Sequence, residues 1–205
     1  MKRKLKVLAL LGLVLYFMHV ILGNILNHGY NPLKQAVSDL TADGASNVIL
    51  IRLITFLSGL LFSVCLIVLS LKIRKKGIIG FACMQCVSTI GYLIFPLSNK
   101  GDYKDIGHLV VTGIVVLLSI VSIILVYLDE RKINKKFSIF SLVVLLVMFL
   151  GAMFSNILSD SYFGVAERFT VYSVIIYMYI LVVYYSKKIK NGWFYGNREI
   201  NIKTS

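Results

Sequence analysis

Two prolines, three cysteines and nine acidic side chains are all that this chain of 205 residues has of those types, and each scarcity excludes something. With so little proline, the long runs of Leu, Ile and Val read as uninterrupted helices, because a bilayer demands that backbone polar groups be satisfied within their own segment. A closed barrel would need many alternating strands of about ten residues, and no such alternation occurs. Cys65, Cys83 and Cys86 all lie in apolar runs, where a cysteine behaves as a small hydrophobe rather than as part of a disulfide framework. Cys83 and Cys86 form a CxxC without the second pair that a zinc site needs. No HExxH, HxxxH or GxSxG occurs either.

Apolar residues make up 58% of the chain against 15% charged, with a mean hydropathy of +0.84, far beyond the average soluble domain. Six stretches are long enough to cross a hydrocarbon core of about 30 Å, which takes roughly 20 residues at a helical rise of about 1.5 Å. They are residues 5–23, 48–71, 77–96, 106–128, 137–158 and 165–185. The reading is an all-α, polytopic bundle of six transmembrane helices forming one domain over residues 1–190, with a tail at 191–205. A basic start followed by an apolar run also resembles a signal peptide. No small-x-small cleavage site precedes Gly23 and His19 lies near the far end of the run, so the first span is expected to be retained.

The net charge of +13 would suggest nucleic acid until the charges are placed on the chain. Lys2, Arg3, Lys4 and Lys6 lead the first span; Lys72, Arg74, Lys75 and Lys76 join the second to the third; Arg131, Lys132, Lys135 and Lys136 join the fourth to the fifth; Lys187, Lys188, Lys190, Arg198 and Lys203 follow the last. That is seventeen of the 22 Lys and Arg residues on one side, and the tendency of basic loops to stay inside makes both termini cytoplasmic. An anionic inner leaflet accounts for the basicity, so the expected partners are membrane lipids and not nucleic acid. The abundance of Lys, Ile and Asn points to a bacterial genome and hence to a cell membrane. Gly151 and Ser155, four residues apart, permit close helix contact within the chain or in a homo-oligomer.

The outer segments, residues 24–47, 97–105 and 159–168, carry the functional groups: six of the nine acids and all three histidines lie in or near the outer half. In the first, Asn31-Pro32 reads as a helix start. Leu33, Ala36, Val37 and Leu40 then make one face of a short amphipathic helix in the outer loop, presenting Ser38 and Asp39 on the other. Asp43-Gly44 ends it in a turn. In the second, Asp102 is placed as an N-cap with Asp105 in the first helical turn. His108 follows one turn into the span, where a hydrogen bond to Asp105 would fix its tautomer for base or ligand work. In the third, Glu167 suits a helix N-terminus, and Arg168 and Arg52 are outer guanidiniums able to meet a carboxylate or a lipid phosphate. The candidates are therefore His108, Ser38 and Asp39 for catalysis; Arg168, Arg52, Tyr30, Asp105 and Glu167 for contacting a ligand; and His28, His108 and Asp105 for a metal. No particular cofactor is implied.

Three outer landmarks, Gly29-Tyr30-Asn31-Pro32 with Ser38 after it, Phe95-Pro96 followed by a polar loop and His108, and Arg168 opening the final span, resemble those of domain-of-unknown-function family 998, a group of six-span bacterial and archaeal membrane proteins. The resemblance runs over nearly the full chain and implies the topology rather than an activity. Members often carry an Asp just after Phe-Pro, where Leu97 and Ser98 stand here. A more distant similarity is to metal-dependent lipid hydrolases, which also place Ser, Asp and His near one membrane face but use an HxxxH absent here. The leading expectation is an outer polar cavity that binds a lipid or small amphiphile. A membrane-embedded hydrolase or transferase acting on outer-leaflet lipids is the alternative. A transporter is third, since no span is broken at mid-membrane by proline.

Overall fold

A computed structural model describes residues 1–157 and 160–189; the expected tail at 191–205, Ser159 and the side chain of Ser155 lie outside the described residues. Helices α1 (Lys2–Leu26), α2 (Val48–Ile73), α3 (Lys76–Ile94), α4 (Tyr103–Glu130), α5 (Lys135–Ile157) and α6 (Phe163–Lys188) follow one another in an up-and-down order. Each overlaps one sequence-predicted span, and each is long and apolar enough to cross a membrane. Every helix packs on the next in the chain, α1 closes the ring against α6, and α2 reaches across to α6.

The distribution of apolar residues is that of a protein whose solvent is lipid. The most apolar window of α4 has a mean hydropathy of 3.1 yet is only 28% buried, and Leu109, Leu117 and Leu146 stand in the open at 72%, 61% and 58% exposure. Water would penalise such a belt, whereas hydrocarbon does not. Inside, Phe62, Leu66, Leu69, Ile78, Phe81, Ile123, Tyr177 and Leu181 form the common core. Gly151 faces α6 of the same chain: a Cβ there would come within 2.7 Å of Thr170 N and 2.8 Å of the Ala166 carbonyl oxygen, so its small size is used within the chain.

The two ends differ. One end, here the basic end, carries the start of α1, the α2–α3 and α4–α5 turns and the close of α6. Its central feature is Glu130, fully buried and held by Lys75 at 2.6 Å and Lys188 at 2.8 Å, with the hydroxyls of Tyr184 and Tyr185 donating to the same carboxylate. Phe137 stacks on Tyr184 at 3.8 Å, so α4, α5, α6 and the α2–α3 turn converge on one carboxylate. A charge in that position persists only when fully paired. The opposite, polar end carries the longer connections 27–47 and 95–102.

Candidate functional site

The connection 27–47 at the polar end is fastened down by α6. Arg168 Nη1 donates to the carbonyls of Pro32 (2.7 Å), Gln35 (3.0 Å) and Gly164 (2.6 Å), and its Nη2 donates to the Tyr30 hydroxyl. Tyr30 in turn donates to the Ala36 carbonyl at 2.8 Å. Burial pushes its phenol up to about 12, so it keeps the proton it donates. Glu167 accepts from Val37 N at 2.8 Å, and Val165 N reaches the Leu33 carbonyl at 3.3 Å. Gly164 makes this approach feasible, because a Cβ there would meet the Pro32 carbonyl oxygen at 2.7 Å and Arg168 Nη1 at 2.8 Å.

This fastening explains why the expected loop helix is shorter and later than its sequence signals. The structure has a 3₁₀ helix over Val37–Thr41, with Ala36 extended before it. Asn31 instead makes an Asx-type turn, its Oδ1 accepting from Leu33 N at 3.0 Å. The Asn31 carbonyl accepts one helical bond, from Gln35 N, but the carbonyls of Pro32, Leu33, Gln35 and Ala36 are taken by Arg168, Val165 N and Tyr30, which compete with the i to i+4 ladder. Ala36, Val37 and Leu40 are buried as the apolar pattern requires, but Leu33 is exposed.

A second set of contacts joins this connection to the one before α4. Asp43 accepts from Arg52 Nη2 and Lys104 Nζ, both at 2.8 Å, while its backbone N donates to the Leu97 carbonyl at 2.7 Å. The two cations, Lys104 first, hold the Asp43 carboxyl down to about 2. Because that value lies below the ordinary one near 3.9, the carboxylate stabilises the fold above about pH 4 and loses the contribution as pH falls through about 2. Comparing thermal unfolding of wild type and Asp43→Asn across that range should give a difference that is full at neutral pH and vanishes at the acid limit. A difference that persisted below pH 2 would refute the assignment.

The remaining sequence candidates are placed as follows. Asp102 is the N-cap of α4, accepting from Lys104 N at 2.9 Å. Asp105 does not hold His108; its two oxygens accept backbone N–H groups of Ser98, Asn99, Lys100 and Gly101 at 2.7 to 3.0 Å, closing the turn after Pro96. His108 Nδ1 instead pairs with the Phe95 carbonyl at 3.1 Å, and its ring packs at a tilt against Tyr92. Asp39 caps its own turn through Ala36 N and accepts from Asn99 Nδ2 at 3.1 Å. It is close enough to His108 and Glu167 to act on both electrostatically. Ser38 is half-buried beside it. His28 is exposed, and among the described residues no group of three His, Cys, Asp or Glu side chains could hold a metal ion.

A cavity of about 180 Å³ opens within the bundle toward the polar end. Arg52, Thr55, Ser58, Gly59 and Phe62 line it from α2, Gln85, Ser88, Thr89, Tyr92 and Leu93 from α3, and Tyr16 and Ile175 from α1 and α6. Of the sequence candidates only Arg52 reaches it. Gln85 donates through Nε2 to the Gly59 carbonyl and to Thr89 Oγ1, and Ser58 donates to the Gly12 carbonyl. The missed residues carry a signal in retrospect. Gln85, Ser88, Thr89 and Tyr92 recur at offsets of three, four and seven, as do Arg52, Thr55 and Gly59 of α2, so each helix presents a polar stripe on one face. Polar stripes in otherwise apolar spans turn to a bundle interior or a cavity.

Fold and cavity together define a multi-pass α-helical membrane bundle with a pocket of mixed polar and apolar lining near one end. The chain belongs to the family described as "Protein of unknown function (DUF998)", which matches residues 10–184, a stretch that holds the landmarks around Tyr30, Phe95 and Arg168. No curated protein and no solved structure matches the chain.

Proposed function

We propose that this is a cell-membrane protein whose polar end faces outward and whose cavity beside Arg52 binds a lipid or small amphiphile. The observation that carries the reading is the pair of polar stripes on α2 and α3 lining one cavity inside an apolar bundle. Thr55, Gln85, Thr89 and Tyr92 already bond one another or neighbouring groups, so the cavity holds a prepared set of donors and acceptors with which a ligand headgroup would exchange bonds. Arg52, the charged residue of the lining, shares the carboxylate of Asp43 with Lys104, so its guanidinium can be drawn on by an anionic head. Phe56, Phe62, Leu93 and Ile175 offer the apolar wall for a chain. The orientation is supported by the seventeen Lys and Arg residues gathered at the opposite end of the sequence's alternating loops.

The test is binding of dodecyl phosphate to the purified protein, with dodecyl maltoside as the neutral comparison. Arg52→Gln should weaken dodecyl phosphate binding by about tenfold, the value of one hydrogen bond to a charged group, and Gln85→Leu should weaken both amphiphiles. The reading fails if wild type and the Arg52→Gln, Gln85→Leu double variant bind dodecyl phosphate equally.

A further inference from the structure

At the basic end two ammonium groups share one carboxylate. Lys75 Nζ lies 2.6 Å from Glu130 Oε1 and Lys188 Nζ lies 2.8 Å from Oε2, and the Tyr184 and Tyr185 hydroxyls occupy further acceptor positions on the same group. Glu130 is thereby saturated by two cations, and Asp129 beside it, close enough to act on Tyr185, bonds neither lysine. An ammonium has three donors, and among the described residues each lysine's salt bridge is to Glu130 alone. Both side chains still reach the surface, with 24% and 33% exposure. Their ammoniums are seated over tyrosine faces, Lys188 at 4.3 Å from the Tyr184 ring centre and Lys75 at 5.5 Å from that of Tyr185. The two cations are thus held by one buried carboxylate and by tyrosine faces.

Apolar surface is exposed at the same end of the bundle. Leu71 at the close of α2, Ile79 in the first turn of α3 and Leu128 near the close of α4 are exposed at 67%, 43% and 43%. A ligand matching both features carries an anionic head and a hydrocarbon body. We infer that Lys75 and Lys188 hold the phosphate of one anionic phospholipid from the leaflet at this end, with Glu130 fixing their separation. Basic pockets between helices at the inner face are where such headgroups dock, and this one is built from positions far apart in the chain rather than from the general basic collar.

Native mass spectrometry of the full chain in detergent, titrated with phosphatidylglycerol or phosphatidylcholine, tests the site. Wild type should retain one phosphatidylglycerol in preference to phosphatidylcholine. Lys188→Gln, which leaves the Lys75–Glu130 pair to support the fold, should lose about fivefold in affinity, whereas Lys132→Gln, an equal loss of charge in the α4–α5 turn, should retain the lipid like wild type. Glu130→Gln should raise phosphatidylglycerol retention while lowering the melting temperature, because it removes the competing anion; a purely structural cluster would lower both. Equal retention of the two lipids, equal loss in Lys188→Gln and Lys132→Gln, or displacement of the lipid by millimolar inorganic phosphate would each overturn the inference.

Discussion

Replacing Arg168 with leucine is expected to destabilise the chain by about 3 kcal/mol and to release the connection 27–47 from the bundle. The guanidinium serves three main-chain carbonyls and the Tyr30 hydroxyl. A hydrogen bond to a charged group contributes about 1.5–3 kcal/mol, and contributions within one network do not add. The carbonyls of Pro32 and Gln35 have no helical partners of their own; without Arg168 the first is left to water and the second to a long 3.3 Å bond from the Tyr30 hydroxyl. Arg168→Lys should recover less than half of the loss, since one ammonium cannot span acceptors set around a planar fork. Thermal unfolding in detergent gives the first quantity, and amide hydrogen exchange of residues 31–37 gives the second. Unchanged protection there would show that Arg168 is not what holds the connection.

Glu130→Ala should be at least as costly, about 3–5 kcal/mol, because removing one member of a buried ionic cluster leaves the others unpaired. Two ammoniums and two phenols lose their common acceptor. The partial exposure of the lysines lets them turn to water, which places the result toward the lower figure. The paired variant Glu130→Ala, Lys188→Gln should cost less than the sum of the single changes, since the second removes a charge that the first orphaned. Additive costs in chemical unfolding would argue that the two groups do not interact.

These two residues mark where sequence reasoning stopped. The spans were legible because length and hydropathy are local properties, and the Asp102 cap was legible because it bonds its own helix start. Arg168 read as a ligand clamp because nothing local reveals that residues 31–36 would leave carbonyls in need of a donor. Asp105 likewise read as a partner for His108, whereas the tight turn 98–101 has four N–H groups that outcompete an imidazole for its oxygens. Glu130 has no local signal: it stands beside a basic connection, and its lysines lie 55 and 58 residues away, a convergence that only the ring order of the helices produces. The cavity is the instructive miss. Attention to ionisable groups passed over Gln85, Ser88, Thr89 and Tyr92, although their helical spacing was already present in the chain.

The proposed function requires the cavity and its Arg52 mouth to open on the outer side. Thiol labelling in intact cells decides this, with the native Cys65, Cys83 and Cys86 replaced by serine and a single cysteine introduced at Ser46, exposed on the polar end, or at Lys132, exposed on the basic end. A membrane-impermeant maleimide should modify Ser46→Cys without lysis and Lys132→Cys only after it; the reverse pattern would contradict the outward-facing site.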